Sequence, residues 1–326
     1  MRPGPLYSIW LFLPALPFVF GFLFLELLYD QGRVWTEPHF APPETGYPEF
    51  FSNLLNYAAF LAYHTITAGL VLGYLIYQTA RLDKPIRKVV LISGIGSVLF
   101  LVAMTVALRV INPWDISTEG AVLQASGVLD SSFGYVCRQL TRSELLTHLM
   151  PETCFDEGFS LFSMMILAQF VLAIFGAILI APFVYGLATP VGSLPLEERA
   201  RLIEIAFRLE VLTLVNGTIA IMVLMRLPVG LAPDGETMRQ MAGYAQSMTL
   251  FWSVQFTIAL VMMFWPAVYF LRKMAESQGQ EEPVVKDGFA MSLFKDRRRV
   301  THALGVMAPF VVGLAGTAIE QFFGAM

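Results

Sequence analysis

The stretch AAFLAYHTITAGLVLGYLIY, residues 58–77, decides what kind of protein this chain is. It contains no Asp, Glu, Lys or Arg, and its one imidazole, His64, lies near the middle. A helix of about 20 apolar residues is long enough to cross the roughly 30 Å hydrocarbon core of a bilayer. Because every backbone amide in lipid must be satisfied within its own segment, the run predicts a membrane-spanning helix rather than a strand.

The rest of the chain has the same apolar character. Of its 326 residues, 56% are hydrophobic and only 14% are charged, whereas soluble domains carry about 25% charged residues. The apolar runs predict an all-α membrane protein, a polytopic bundle of about seven transmembrane helices that forms a single domain over residues 1–326. The predicted spans are 8–29, 54–78, 87–111, 160–187, 209–231, 248–271 and 302–324.

The basic residues predict on which side of the membrane each loop lies. With the N-terminus in the cytoplasm, 15 Lys and Arg fall on the inner side and 6 on the outer side, and this bias sets the orientation of a membrane protein. Seven spans then place the C-terminus outside. The same assignment predicts external loops at 30–53 and 112–159 and a cytoplasmic linker at 273–301. Basic residues of the linker are expected to contact anionic lipid headgroups, namely Lys295, Arg297, Arg298 and Arg299.

Both cysteines of the chain, Cys137 and Cys154, fall in the external loop 112–159. Two thiols that face an oxidising compartment predict one disulfide, and the alternative is two free buried thiols. Between them, leucines at helical spacing predict a short amphipathic helix that ends at Pro151. No Asn-x-Ser/Thr sequence lies in an external loop. Together these features favour a bacterial inner membrane, with the cysteines on the periplasmic side.

Polar and charged residues within the spans are candidate functional residues because they are expensive to place in lipid. They are Glu26, His64, Arg109, Asn216, Arg226, Gln255 and Glu320. The predicted topology puts the four charged ones near the external ends of their helices. One interpretation is that these side chains extend to the nearby interface or form ion pairs with one another. The alternative is that they line a water-filled outer vestibule.

His64 lies roughly 15 Å from the external end of its span, close to the bilayer midplane. The sequence favours a helix–helix contact, with a hydrogen bond to Asn216, Thr218, Gln169 or Gln255. Three more specific hypotheses remain open. His64 could ligate haem or chlorin, which needs a second ligand. It could be a step in a proton or ion path, for which Glu210 is the nearest other candidate, or it could form a quinone or lipid-headgroup site with Tyr63 or Trp252.

Three functions compete at this point. The sequence favours a non-catalytic subunit or assembly component of a larger membrane complex, in contact with lipid and with other membrane subunits. The alternatives are a transporter or an ion or proton channel, and an intramembrane redox or quinone-site protein that uses His64. Motifs for phosphate loops, metalloproteases, Cys-x-x-Cys redox sites and Gly-x-Ser-x-Gly hydrolases are absent. No catalytic residue, metal or nucleic-acid partner is predicted, and haem and quinone remain the only cofactors considered.

Overall fold

The computed structural model describes residues 10–17, 19–21, 48–111, 180–226, 229, 235–278 and 305–316. Within these ranges the chain is helical apart from short turns and contains no strand, so the all-α prediction is confirmed for them. The main helices are α1 (Pro48–Arg81), α2 (Lys84–Ile111), α3 (Leu196–Met225), α4 (Gly235–Ser277) and α5 (Gly305–Gly316). Residues 180–188 are also helical and precede α3.

In the part of the chain that the structure describes, three helices are long and apolar enough to cross a membrane: Leu55–Arg81, Leu196–Met225 and Met238–Ser277. They bear out the membrane character predicted at 54–78, 209–231 and 248–271. The helix α2 covers the predicted span at 87–111, and α5 lies within that at 302–324. The spans at 8–29 and 160–187 are described only in part. The count of seven and the sides of the termini therefore stay predictions.

Several helices extend beyond the apolar runs. α1 begins at Pro48, inside the external loop predicted at 30–53, and proline suits a first helical turn because it has no N–H to satisfy. α4 continues to Ser277, into the linker predicted at 273–301. α3 begins at Leu196. Apolar residues at helical spacing in LPLEERARLIEIAFRLE also predict a cytoplasmic extension of this helix that begins near Glu197. The helix ends at Met225 rather than at 231. The remainder of these loops, including the predicted amphipathic helix, lies outside the described residues.

α1 packs along α3 in the opposite direction. Near the start of α1, Asn53 Nδ2 donates to the carbonyl of Arg226, at the C-terminal end of α3, over 3.4 Å. Further along α1, Thr67 meets Asn216. The two contacts run in opposite senses along the two helices, so α1 and α3 are antiparallel.

α4 and α5 cover other faces of α3. The ring centroids of Phe207 and Phe264 lie 5.1 Å apart in an edge-to-face contact, and Phe256 faces Gly217, so α4 is antiparallel to α3. At the two ends of α5, Gly305 approaches Phe207 and Gly316 approaches Met222, so α5 runs parallel to α3. These relative directions are those of spans that alternate across a bilayer.

The outer faces of α1, α2 and α4 are apolar. Leu70 is 71% exposed, Ile95 62% and Trp265 61%. Apolar faces of this extent suit contact with lipid, where a helix is favoured because its backbone groups pair within the segment. A membrane environment is therefore the natural solvent for this surface.

An aromatic contact ties the N-terminal segment to α4. Trp10 Nε1 donates to the carbonyl of Met263 over 3.2 Å, and the Trp10 ring packs on Tyr185 and Phe270. α4 contains Pro266, and a proline inside a helix deprives the carbonyl four residues earlier of its donor and loosens that turn. The carbonyl that Pro266 leaves without its helical donor is that of Met262, and the indole bonds the neighbouring carbonyl of Met263.

Candidate functional site

The interface between α1 and α3 contains a small group of buried polar side chains. Asn216 Nδ2 donates to Thr67 Oγ1 over 3.3 Å, and Thr67 in turn donates to the carbonyl of Tyr63 over 2.9 Å. Asn216 is 5% exposed and Thr67 is 7% exposed. A hydrogen bond of this kind contributes about 0.6 kcal/mol in a bilayer, so it fixes the register of the two helices more than it stabilises them.

His64 lies one turn from Thr67 on α1 and has no exposed surface. Its ring faces the backbone of α3: a Cβ built on Gly217 would lie 3.8 Å from His64 Cε1 and 3.7 Å from Cε2 of Phe256. Neither ring nitrogen has a hydrogen-bond partner in the part of the chain that the structure describes. His64 is thus in contact with α3, but no described residue gives it the hydrogen bond that a packing role would require.

The side chains predicted as hydrogen-bond partners of His64 either bond other groups or lie away from its ring. Asn216 bonds Thr67, as above, and the Thr218 hydroxyl donates to its own helix at Leu214. Gln255 lies beside Gly21, whose Cβ would be 3.6 Å from Gln255 Cγ. Residue 169 is outside the described residues.

Glu210 is a second buried ionisable group on the same helix as Gly217. It is 1% exposed, and its Oε2 has no hydrogen-bond partner among the described residues. Seven residues separate it from Gly217 along α3, which is about two turns or ~10 Å, so both positions lie on one face. The predicted span 209–231 puts Glu210 at its first turn. Because α3 begins at Leu196, Glu210 lies well inside this helix.

Threonine hydroxyls continue this polar face between the two ionisable groups. Thr213 Oγ1 donates to the carbonyl of Leu209, as Thr67 does to Tyr63. A hydroxyl that donates to its own helix keeps lone pairs with which it can accept a further hydrogen bond. Between His64 and Glu210 the helices therefore offer Thr67, Asn216 and Thr213 as polar groups. We call these five residues the α1–α3 polar face.

Other residues singled out from the sequence take separate positions. Arg226 ends α3, and its backbone carbonyl accepts from Asn53. Position 109 lies in α2. Trp252 is buried beside Phe251 and Phe256 on α4, whereas Tyr63 is 51% exposed. The following predicted residues lie outside the described ones: Glu26, Glu320, Cys137, Cys154, Lys295, Arg297, Arg298 and Arg299.

A second polar cluster, which sequence reasoning missed, lies where the 180–188 helix turns into α3. Arg199 is only 4% exposed and donates four hydrogen bonds, all to backbone carbonyls. The acceptors belong to Leu187, Thr189, Val191 and Leu194. They include the last carbonyls of the 180–188 helix, and no N–H group within a helix donates to its last carbonyls. Arg199 therefore holds the connection between the two helices in one conformation.

The same connection is bound to the turn between α1 and α2. Ser193 donates to Asp83 Oδ2 twice, from its backbone N–H over 2.8 Å and from its hydroxyl over 2.6 Å. The adjacent Gly192 has φ +80°, and a Cβ there would lie 2.8 Å from Ile86 Cγ1, so only glycine suits both the conformation and the space. Asp83 and Ser193 are 110 residues apart in sequence, and no local pattern signals their contact.

The Asp83 contact predicts a specific dependence of stability on pH. The hydroxyl of Ser193 and then its backbone N–H lower the pKa of Asp83 below its ordinary value of 3.8, with a smaller contribution from the charge of Arg199. A carboxyl with a depressed folded pKa stabilises the fold above its unfolded pKa, and the stabilisation is lost as the pH falls through the folded pKa. We expect Asp83→Asn to melt below the wild type at pH 7, with a difference that narrows below pH 3.8. Melting curves across this range test it, and a constant difference would contradict it.

Within the described ranges, no group of three or more His, Cys, Asp or Glu side chains is placed to hold a metal ion. A comparison of the chain with protein-family models, with curated proteins and with solved structures finds no match. The function of the α1–α3 polar face is therefore argued from its geometry.

Proposed function

We propose that this chain is a membrane transport protein whose pathway for a small polar solute or ion passes through the α1–α3 polar face at His64. The observation that carries the proposal is a fully buried imidazole whose two nitrogens have no hydrogen-bond partner within the described residues. An ionisable side chain at membrane depth is costly, and such residues mark ion and substrate pathways.

The hydrogen-bonding needs of imidazole explain why packing alone is an incomplete role for His64. Neutral imidazole has one N–H donor and one acceptor, and each buried polar group left unsatisfied costs about 1–3 kcal/mol. Water or a polar solute between the helices would meet both needs. Gly217 opposite the ring has no side chain, so the imidazole lies directly against the backbone of α3.

Competing functions have less support in the geometry. The sequence favours a non-catalytic subunit of a larger complex. The described residues show no specific contact surface for the partner subunits that this function would need. A quinone or redox site would also give His64 a partner, but Tyr63, one of its two proposed aromatic companions, is 51% exposed. A bacterial inner membrane and an external start of α1 belong to this proposal. The first rests on the cysteine pair and the absence of an Asn-x-Ser/Thr sequence in the external loops, and the second rests on the Lys/Arg bias.

Reaction of a cysteine at position 64 tests the pathway without knowledge of the solute. His64→Cys is placed in a chain in which Cys137 and Cys154 are serine, and the protein is reconstituted in sealed vesicles. A membrane-impermeant cationic methanethiosulfonate is then added. We expect rapid modification, because an aqueous pathway admits the reagent to a position that has no exposed surface in the packed helices.

The matched control is Thr249→Cys in the same background. Thr249 is 1% exposed, lies on α4 and bonds its own helix at Ala245, so it is equally buried but away from the α1–α3 polar face. We expect it to react far more slowly than position 64. Equal, slow reaction at both positions would contradict the transport proposal.

A further inference from the structure

Glu210 and His64 are the two ionisable groups of the α1–α3 polar face, and both are more than nine-tenths buried. Each has an atom that lacks a hydrogen-bond partner within the described residues: both ring nitrogens in His64 and Oε2 in Glu210. An ionised carboxylate that is buried without a partner is strongly disfavoured. Both groups therefore have the chemistry to hold and release a proton, and neither is committed to a structural bond at those atoms.

We infer that the α1–α3 polar face conducts protons, with His64 and Glu210 as two successive proton-binding stations. This inference rests on the proposed transport function and names its substrate. Glu210 lies ~10 Å along α3 from Gly217, the residue that faces His64. A separation of this size is too long for direct transfer but is spanned by about four hydrogen bonds of ~2.8 Å. Thr67, Asn216 and Thr213 lie between them and offer lone pairs to bridging waters.

Each station returns to its starting protonation state after it has passed on one proton. His64 takes up a proton at its unprotonated ring nitrogen from one side and releases the proton of the other nitrogen toward the opposite side. A flip of the ring then returns an unprotonated nitrogen to the first side. Glu210 accepts a proton on a carboxylate oxygen and releases it toward the opposite side. No electron is transferred, and the proton gradient across the membrane supplies the driving force.

Few other titratable groups compete with this pair. Tyr74 of α1 forms a side-chain hydrogen bond with Gln78 and interacts electrostatically with Arg201 and Glu198. Tyr57, also on α1, is fully buried two turns from His64. Between residues 245 and 268, where α4 packs on α3, there is no Asp, Glu, Lys, Arg, His or Tyr, and α5 has none over 305–316. Arg199 lies 11 residues before Glu210 and is committed to four carbonyls.

Proton flux through reconstituted vesicles tests the inference. The purified chain is placed in lipid vesicles that contain a pH-sensitive dye, and a potassium gradient with valinomycin drives protons inward. We expect flux above that of protein-free vesicles, and a loss of about 100-fold or more in Glu210→Gln and in His64→Phe, because removing a positioned proton-transfer group costs 10²–10⁴-fold. Thr249→Val, buried and off the polar face, is the control and should retain wild-type flux.

Infrared spectroscopy of the wild type gives a readout that does not depend on a variant folding. A buried Glu210 that takes up and releases protons contributes a carboxylic-acid C=O band that changes with pH, and the band is absent in Glu210→Gln.

The outcomes separate this inference from the proposed function. If position 64 reacts with the thiol reagent but vesicles show no proton flux, the pathway stands and the proton assignment is overturned. If His64→Phe abolishes flux and Glu210→Gln does not, Glu210 is not a station and the inference is overturned in that part. A wild type without the pH-dependent band, together with normal flux in Glu210→Gln, overturns it as well.

Discussion

Replacing Arg199 with methionine is expected to lower the free energy of unfolding by about 3–6 kcal/mol. Its two fully buried bonds, to the carbonyls of Leu187 and Thr189, measure 2.9 and 2.7 Å. Hydrogen bonds with a charged partner contribute about 1.5–3 kcal/mol each. The two bonds to Val191 and Leu194 are only partly buried, so water replaces them at little cost. Unfolding in mixed micelles by added dodecyl sulfate measures the difference.

Arg201→Met is the matched control for this prediction. Arg201 lies on the same first turns of α3, but its side chain is 71% exposed and its ion pair with Glu198 is 3.6 Å long. Exposed ion pairs contribute about 0–1 kcal/mol, so this variant should unfold close to the wild type. Arg199→Lys should regain little, because an ammonium group does not reach carbonyls arranged around a planar guanidinium. Equal stability of the two methionine variants would contradict the role given to Arg199.

Replacing Gly186 with alanine is expected to lower the free energy of unfolding by about 1–3 kcal/mol, the usual cost of overpacking. A Cβ at this position would collide with Cγ2 of Val90, and it would also lie 3.4 Å from the backbone N of Val90. Valine has a single preferred rotamer in a helix, so it cannot turn aside freely. The substitution therefore disrupts the packing between α2 and the 180–188 helix.

A double-mutant cycle with Val90→Ala isolates this contact. If the collision is the cause, Gly186→Ala should cost much less in the Val90→Ala background, with a coupling energy of about 1 kcal/mol or more. Gly94→Ala on α2 is the control, because a Cβ there meets nothing within 4 Å and alanine favours helix by about 1 kcal/mol. Additive costs in the cycle would show that the strain arises elsewhere.

The sequence predicts the three apolar helices that the structure describes as long enough to span a membrane, because hydrophobic length is a local property. The run 58–77 needs no tertiary contact to indicate a span, and α1 contains it whole. Helix ends were predicted less well. Pro48 begins α1 within a predicted loop, and α4 runs on to Ser277, because polar first and last turns can remain helical outside the hydrocarbon core.

The candidate site was predictable only in part. His64 is conspicuous as one basic group in an apolar run. That no described residue bonds its ring nitrogens depends on which helix faces it, and a local pattern does not show this. The sequence predicts the helical extension that includes Glu210, but not the burial of its carboxylate on one face with Gly217. The cluster of Asp83, Ser193 and Arg199 joins segments 110 residues apart. Charged residues in predicted loops look ordinary until the fold brings their partners together.

The ring nitrogens of His64 provide the most direct test of the proposed pathway. The chain has four histidines, and the other three, His39, His148 and His302, can be replaced with glutamine so that ¹⁵N-labelled histidine reports on His64 alone. Solid-state NMR in lipid bilayers then detects magnetisation transfer from water protons to the ring. We expect water contacts at both nitrogens and exchange between the two tautomers. A single tautomer bonded to a protein carbonyl, with no water contact, would contradict the pathway and make His64 a packing residue.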